Sequence, residues 1–187
     1  MFDIIVSTLI ALMAGAAVLF LYVVRRPDRP IVRSALIDAP PEHIFHHIND
    51  LRAFNRWNPF DEPSPNGPDA YSGAASGPGQ RYDFDTKSSG SGHIEIARSD
   101  LPRRVEMRLV MVKPLACDNR VMFTLEPEGR GTRVTWSMTG TAGPFAKVMG
   151  FLMCGEQMCC NAFDKGLASL KAIVERQAAR DALRAVG

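Results

Sequence analysis

The pattern of hydrophobic and polar residues divides the chain into three parts. Ile4 to Val24 form one apolar run without a charged residue. Apolar and polar residues then alternate in successive short runs, which is typical of strands with one buried face. In the last part the apolar residues are spaced by threes and fours, which predicts a long helix from about Phe145 into the region of Glu175.

The first run is long enough to cross a membrane. A helix over Ile4 to Val24 would span about 30 Å, the thickness of the hydrocarbon core of a bilayer. Arg25, Arg26 and Arg29 follow the run, whereas a signal peptide carries its positive charge before it. Because loops rich in Lys and Arg stay cytoplasmic, we expect a single-pass anchor in the inner (cytoplasmic) membrane, with the domain facing the cytoplasm.

The alternating runs predict an antiparallel meander. A first strand precedes two short helices, and five further strands are separated by turns rich in Gly and Pro. The strands are Ile31 to Asp38 and the runs around Tyr82 and Phe84, Ile94 and Ile96, Val105 to Met111, Val121 to Leu125, and Val134 to Met138. The apolar face of such a sheet must be covered, and only the last helix is long enough to cover it. A twisted sheet seldom closes flush on one helix, so an α+β fold with an apolar pocket is predicted.

The predicted organisation is one domain with two accessory segments. Residues 1–30 form the anchor and linker, and residues 31–176 form the domain. Residues 177–187 form a charged tail, for which a fraying helix is predicted. The net charge of +2 gives no basic field for nucleic acid, so no nucleic-acid partner is expected. The four Cys do not follow the spacing of a disulfide framework or a zinc site, and buried thiols in a reducing compartment are the favoured interpretation.

Several segments carry a family resemblance. They are Ile37 to Phe45, Asn49 to Leu51 with Trp57 to Phe60, Tyr71 to Gly73 before Gly79 to Tyr82, Phe123 to Pro127 with Gly131 to Trp136, and Phe163 to Lys171. Over about residues 31 to 175 the chain resembles the START/Bet v 1-like (SRPBCC) superfamily, in its bacterial polyketide cyclase/dehydrase and lipid-transport branch. The resemblance implies the helix-grip fold, a curved sheet wrapped on a C-terminal helix. It implies little about chemistry, because members include lipid carriers, cyclases and chaperone activators.

The residues suited to chemistry are few. His43 and His47 are spaced i, i+4, but no third ligand is evident nearby, so a solvated helix face is favoured over a metal site. No carboxylate or His falls at an inward position of the predicted strands. The polar groups expected to point inward are Tyr82, the N–H of Trp136 and Tyr71. The sequence therefore predicts no catalytic group, no metal and no cofactor.

We expect a membrane-tethered binding module for a lipid or other apolar small molecule, held between the sheet and the C-terminal helix. The candidate ligand-binding residues are aromatic, Met and Leu side chains on the inward faces: Trp57, Phe60, Tyr82, Phe84, Met107, Leu109, Met111, Phe123, Trp136, Met138, Met149 and Leu152. Two alternatives stay open, a polyketide cyclase/dehydratase-type enzyme and a protein-interaction module like the chaperone activators. The sequence does not identify protein partners.

Overall fold

A computed structural model of the chain describes residues 2–25, 30–60, 70–86, 90–143, 147 and 155–186. The helices are α1 (Phe2–Arg25), α2 (Pro41–Ile48), α3 (Leu51–Phe54) and α4 (Gly155–Val186). The strands are β1 (Ile31–Ile37), β2 (Ala70–Gly73), β3 (Gln80–Thr86), β4 (Gly90–Asp100), β5 (Arg104–Lys113), β6 (Cys117–Glu128) and β7 (Gly131–Ala142). The predicted α+β helix-grip arrangement is confirmed.

The seven strands form one antiparallel sheet in the order β1-β7-β6-β5-β4-β3-β2. Strands β3 to β7 are the predicted meander, and β1 pairs with the last of them, so that Ile31 lies opposite Met138. Strand β2, which pairs with the first residues of β3, was not among the predicted strands. Its four residues are too few to show an alternating pattern, and a Pro- and Gly-rich stretch precedes them.

The two short helices close one end of the sheet. Helix α2 begins with Pro41, a residue that suits the first helical position, and buries Ile44, Phe45 and Ile48. Helix α3 begins after Asp50, whose carboxylate accepts a hydrogen bond from the backbone N–H of Arg52 at 2.9 Å. Both helices thereby bury apolar residues of the same core.

Helix α4 packs along β1, which is one edge of the sheet. Lys171 Nζ donates to the carbonyl of Leu36 at 2.8 Å, and the backbone N–H of Asp38 donates to Glu175 Oε1 at 2.9 Å. These bonds occupy backbone groups that an open edge would offer to another strand. The helix continues to Val186 through the segment expected as a fraying tail, whereas residues 148–154, part of its predicted beginning, lie outside the described residues.

An aromatic cluster fills the core between the sheet, α3 and α4. Trp136 stacks on Phe163 of α4 with 4.0 Å between ring centroids and 8° between planes. A Cβ atom at Gly166 would come within 2.9 Å of the Trp136 ring, so the absence of a side chain lets α4 approach the sheet closely. The members of this aromatic cluster are Phe54, Trp57, Phe123, Trp136 and Phe163.

Helix α1 is long and apolar enough to cross a membrane over Ile4–Arg25, by length and composition. Most of its described residues are exposed. Val23 is buried at 4% exposure and Val24 is partly buried, so other parts of the chain cover the last turn of the helix. Residues 26–29 of the predicted linker lie outside the described residues.

Candidate ligand-binding site

The described residues line an apolar cavity of about 350 Å³ that is partly open to solvent, between the inner face of the sheet and the first turns of α4. Alternate residues of β3 to β7 face it, and side chains from α3, the segment after α3 and α4 complete the wall. Its volume lies at the lower end of the range of about 300–1,000 Å³ for small-molecule sites. It is therefore large enough for a small molecule.

Seven of the twelve predicted residues line this cavity: Phe60, Tyr82, Phe84, Leu109, Met111, Trp136 and Met138. The strand residues among them hold the inward positions that the alternation indicated, with Leu109 opposite Ile94 and Tyr82 opposite the same Ile94. Their location is thus established, and their contact with a ligand stays a prediction.

Three predicted residues lie in the packed core and do not line the cavity. Trp57 is 3% exposed, and Met107 and Phe123 are fully buried. They point inward as expected, but the aromatic cluster and the short helices fill the space in front of them. Trp57 is also fixed by its Nε1, which donates to the carbonyl of His47 at 3.0 Å. The remaining two, Met149 and Leu152, lie outside the described residues.

The lining also includes residues that the sequence analysis did not select. The polar ones are Asn58, Thr86, Asn119 and Cys159, and the apolar ones are Phe54, Ile94, Val121, Met158 and Phe163. Asn119 has the same strand parity as Val121 and Phe123, so a prediction that began β6 at Cys117 would have placed it inward.

Asn119 is accommodated by a glycine on the neighbouring strand. It pairs with Gly140 of β7, and a Cβ atom there would lie 1.7 Å from Asn119 Oδ1. The Nδ2 of the same side chain donates to Cys117 Sγ at 3.4 Å. An amide group therefore sits in a mostly apolar wall, and amides hydrogen-bond carbonyl and hydroxyl groups.

The indole N–H of Trp136 does not serve as the polar group expected at the site. Its Nε1 is buried and has no hydrogen-bond partner among the described residues. The rings of Phe54 and Trp57 stand edge-on to the indole, at 71° and 83° to its plane. Trp136 contributes to the cavity as an apolar surface.

The ionisable groups of the described lining are a thiol and a phenol. Burial raises the pKa of the Cys159 thiol above its ordinary value, so the thiol is neutral near pH 7. The other ionisable group is the hydroxyl of Tyr82. The described lining contains no carboxylate, imidazole or amine, the groups that usually transfer protons in catalysis.

A curved antiparallel sheet, a long C-terminal helix and a cavity between them define a helix-grip protein. The model of the family described as "Polyketide cyclase / dehydrase and lipid transport" matches residues 30–175, and the chain belongs to this family. A comparison with curated proteins gives no match.

Solved structures share the fold at low sequence identity. MLL2253 from Mesorhizobium loti is 14% identical with a TM-score of 0.58, over 79% of this chain and 98% of its own. CV1439 from Chromobacterium violaceum is 18% identical with a TM-score of 0.55, over 78% and 96%. The Aha1 dimer from Colwellia psychrerythraea gives 17% and 0.54, over 79% and 96%. At these identities the likeness establishes the fold alone.

Proposed function

We propose that the protein is a membrane-tethered binding module that holds a lipid or another apolar small molecule between its sheet and α4. The cavity of about 350 Å³ is the observation that supports this most directly. Membership of a family described by cyclase, dehydrase and lipid-transport functions agrees with a small apolar ligand.

The composition of the lining favours binding over catalysis. A cyclase or dehydratase needs an acid or base within hydrogen-bond reach of its substrate. The described wall offers amides at Asn58 and Asn119, the hydroxyls of Thr86 and Tyr82, and the neutral thiol of Cys159. These groups can orient a carbonyl or hydroxyl, and the described wall holds no carboxylate, imidazole or amine to act as a strong general base. The proposed module therefore releases its ligand unchanged.

Helix α1 tethers the module in this proposal. Its length, its apolar composition and the exposure of its side chains support a position within lipid. The Arg residues after it support a cytoplasmic domain in the inner membrane. Protease added to intact spheroplasts should leave the domain uncut, and digestion before the membrane is broken would show the opposite orientation.

Ligand binding can be tested by filling the cavity. A Trp at position 109 would extend from the inner face of β5 into the cavity, whereas a Trp at position 110 would point from the same strand to the outer face. The full chain in detergent micelles is titrated with a fluorescent fatty acid. We expect Leu109→Trp to abolish most of the saturable binding and Val110→Trp, the matched control, to retain it.

Two outcomes would contradict the proposal. One is that the wild-type chain shows no saturable binding of any of three probes: the fluorescent fatty acid, a fluorescent sterol and a fluorescent polycyclic compound. The other is equal binding by Leu109→Trp and Val110→Trp while both variants unfold at the wild-type urea concentration. The second result would place the probe outside the cavity.

A further inference from the structure

The register of the sheet places the cavity at the end of the domain where α1 joins it. Ile31, the first residue of β1, pairs with Met138, which lines the cavity and pairs in turn with Val121. The next row of paired residues across the sheet lies further from Ile37, the last residue of β1. It consists of four lining residues: Asn119, Leu109, Ile94 and Tyr82. The chain enters β1 from this side of the sheet.

Two side-chain hydrogen bonds show the direction in which helix α4 runs along β1. Asp164 accepts from Arg33 Nε at 3.2 Å, near the start of β1, whereas Glu175 bonds to Asp38 just after its end. The helix therefore runs parallel to β1. Its first turns, which contribute Met158 to the cavity, lie at the end of the sheet where β1 begins.

The connection between α1 and β1 is short. Arg25 is the last residue of α1 and Ile31 the first of β1, and a chain covers at most about 3.6 Å per residue, so the ends lie within about 20 Å of each other. The burial of Val23 indicates that the end of α1 already touches other parts of the chain. A bilayer holding α1 must lie next to the cavity end of the domain.

Apolar side chains are exposed around this end. Phe60 and Met158, which line the cavity, are 40% and 61% exposed. Val112 lies near the end of β5 at the same end of the sheet and is 59% exposed. Single exposed apolar residues are ordinary. Three of them at the cavity end of the sheet, within reach of the anchor, form a surface suited to the interface of a bilayer.

We propose that this end of the domain, defined by Phe60, Val112 and Met158, docks on the bilayer that holds α1. The ligand then passes between bilayer and cavity without crossing bulk water. The second statement rests on the proposed binding function, whereas the docking itself does not require a ligand.

Docking is tested with two reporters at opposite ends of the same strand. Val112 lies near the end of β5 and Leu101 in the turn before it, so the length of a 10-residue strand, about 30 Å, separates them. Both are well exposed, at 59% and 66%. Val112→Trp and Leu101→Trp are each placed in the full chain in nanodiscs, and the fluorescence of the two native Trp is subtracted with the wild type.

Nitroxide-labelled lipids should quench Trp at position 112 strongly and Trp at position 101 little, and aqueous iodide should do the reverse. Equal quenching by iodide, with no quenching of either reporter by the labelled lipids, would overturn the docking proposal. Because no ligand is present, this result is independent of the binding function.

Ligand transfer is tested with a charge at the same two positions. An added carboxylate next to anionic lipids should slow the pickup of a fluorescent fatty acid from vesicles by about fivefold, which corresponds to about 1 kcal/mol. We expect this for Val112→Asp but not for Leu101→Asp, and both should bind the probe normally in detergent micelles. Equal transfer rates would overturn direct transfer, whereas failure of micellar binding by the wild type would refute the binding function instead.

Discussion

Replacing Phe123 by Ala tests whether its side chain belongs to the packed core and not to the cavity wall. Phe123 is fully buried, with ring centroids 5.0 Å from Trp136, 5.8 Å from Trp57 and 6.0 Å from Phe54. Removing a buried Phe ring costs about 3–5 kcal/mol, and its aromatic neighbours favour the upper half of this range. At a denaturant slope of about 2 kcal/mol per molar urea, the unfolding midpoint should fall by about 2 M.

The matched variant is Phe60→Ala at the cavity wall. Phe60 is 40% exposed, and its ring lies 6.4 Å from that of Phe163, so its removal should lower the free energy of unfolding by about 1 kcal/mol. We expect the opposite order for ligand affinity. Phe60→Ala should weaken binding of the fatty acid probe, while Phe123→Ala, measured well below its unfolding midpoint, should retain most of it.

The assay is urea unfolding of the full chain in micelles, followed by tryptophan fluorescence. The chain has two Trp, at positions 57 and 136, and both belong to the aromatic cluster, so the signal reports on the region around Phe123. A loss of less than about 1 kcal/mol in Phe123→Ala would refute the packing described here. An equal loss in Phe60→Ala would also contradict it.

Three further predictions concern polar groups. The buried amide of Gln80 accepts from the N–H of Leu51 and donates to the carbonyl of Ala75, so Gln80→Leu should cost about 2–4 kcal/mol in urea unfolding, and a cost below about 1 kcal/mol would contradict this role. Because burial raises the pKa of Cys159, iodoacetamide should alkylate it at pH 8 more slowly than a free thiol, and more slowly still with ligand bound; peptide mass spectrometry showing ordinary reactivity would contradict this. Burial lowers the pKa of His47 in the folded state, so on acidification the unfolded state binds the proton first. The free energy of unfolding should therefore fall between about pH 7 and pH 5 more steeply in the wild type than in His47→Gln. Parallel curves for the two proteins would refute this prediction.

The sheet was predictable because each long strand buries one face, and burial leaves an alternating pattern. Strand β2 leaves no such trace, since only four residues pair with β3. The pairing of β1 with β7 joins residues about a hundred positions apart, and alternation within one strand does not specify its neighbour.

The cavity was predictable only in part, because an inward side chain can face either a void or another side chain. Phe123 and Leu109 both hold inward strand positions, but the rings of the aromatic cluster cover Phe123, and Leu109 remains on the cavity wall. The alternation within a strand does not distinguish a covered residue from a cavity residue, because the difference depends on how closely α3 and α4 approach the sheet. Asn119 was missed for a local reason, because the predicted strand began after it.

Photo-crosslinking tests the central claim, ligand binding in the cavity, most directly. The full chain in nanodiscs is irradiated with a diazirine-bearing fatty acid, and the labelled positions are mapped by peptide mass spectrometry. We predict labels on cavity residues such as Met111, Met138 and Met158, which disappear in Leu109→Trp and remain in Val110→Trp. Labels confined to α1, or cavity labels unchanged in Leu109→Trp, would contradict the claim.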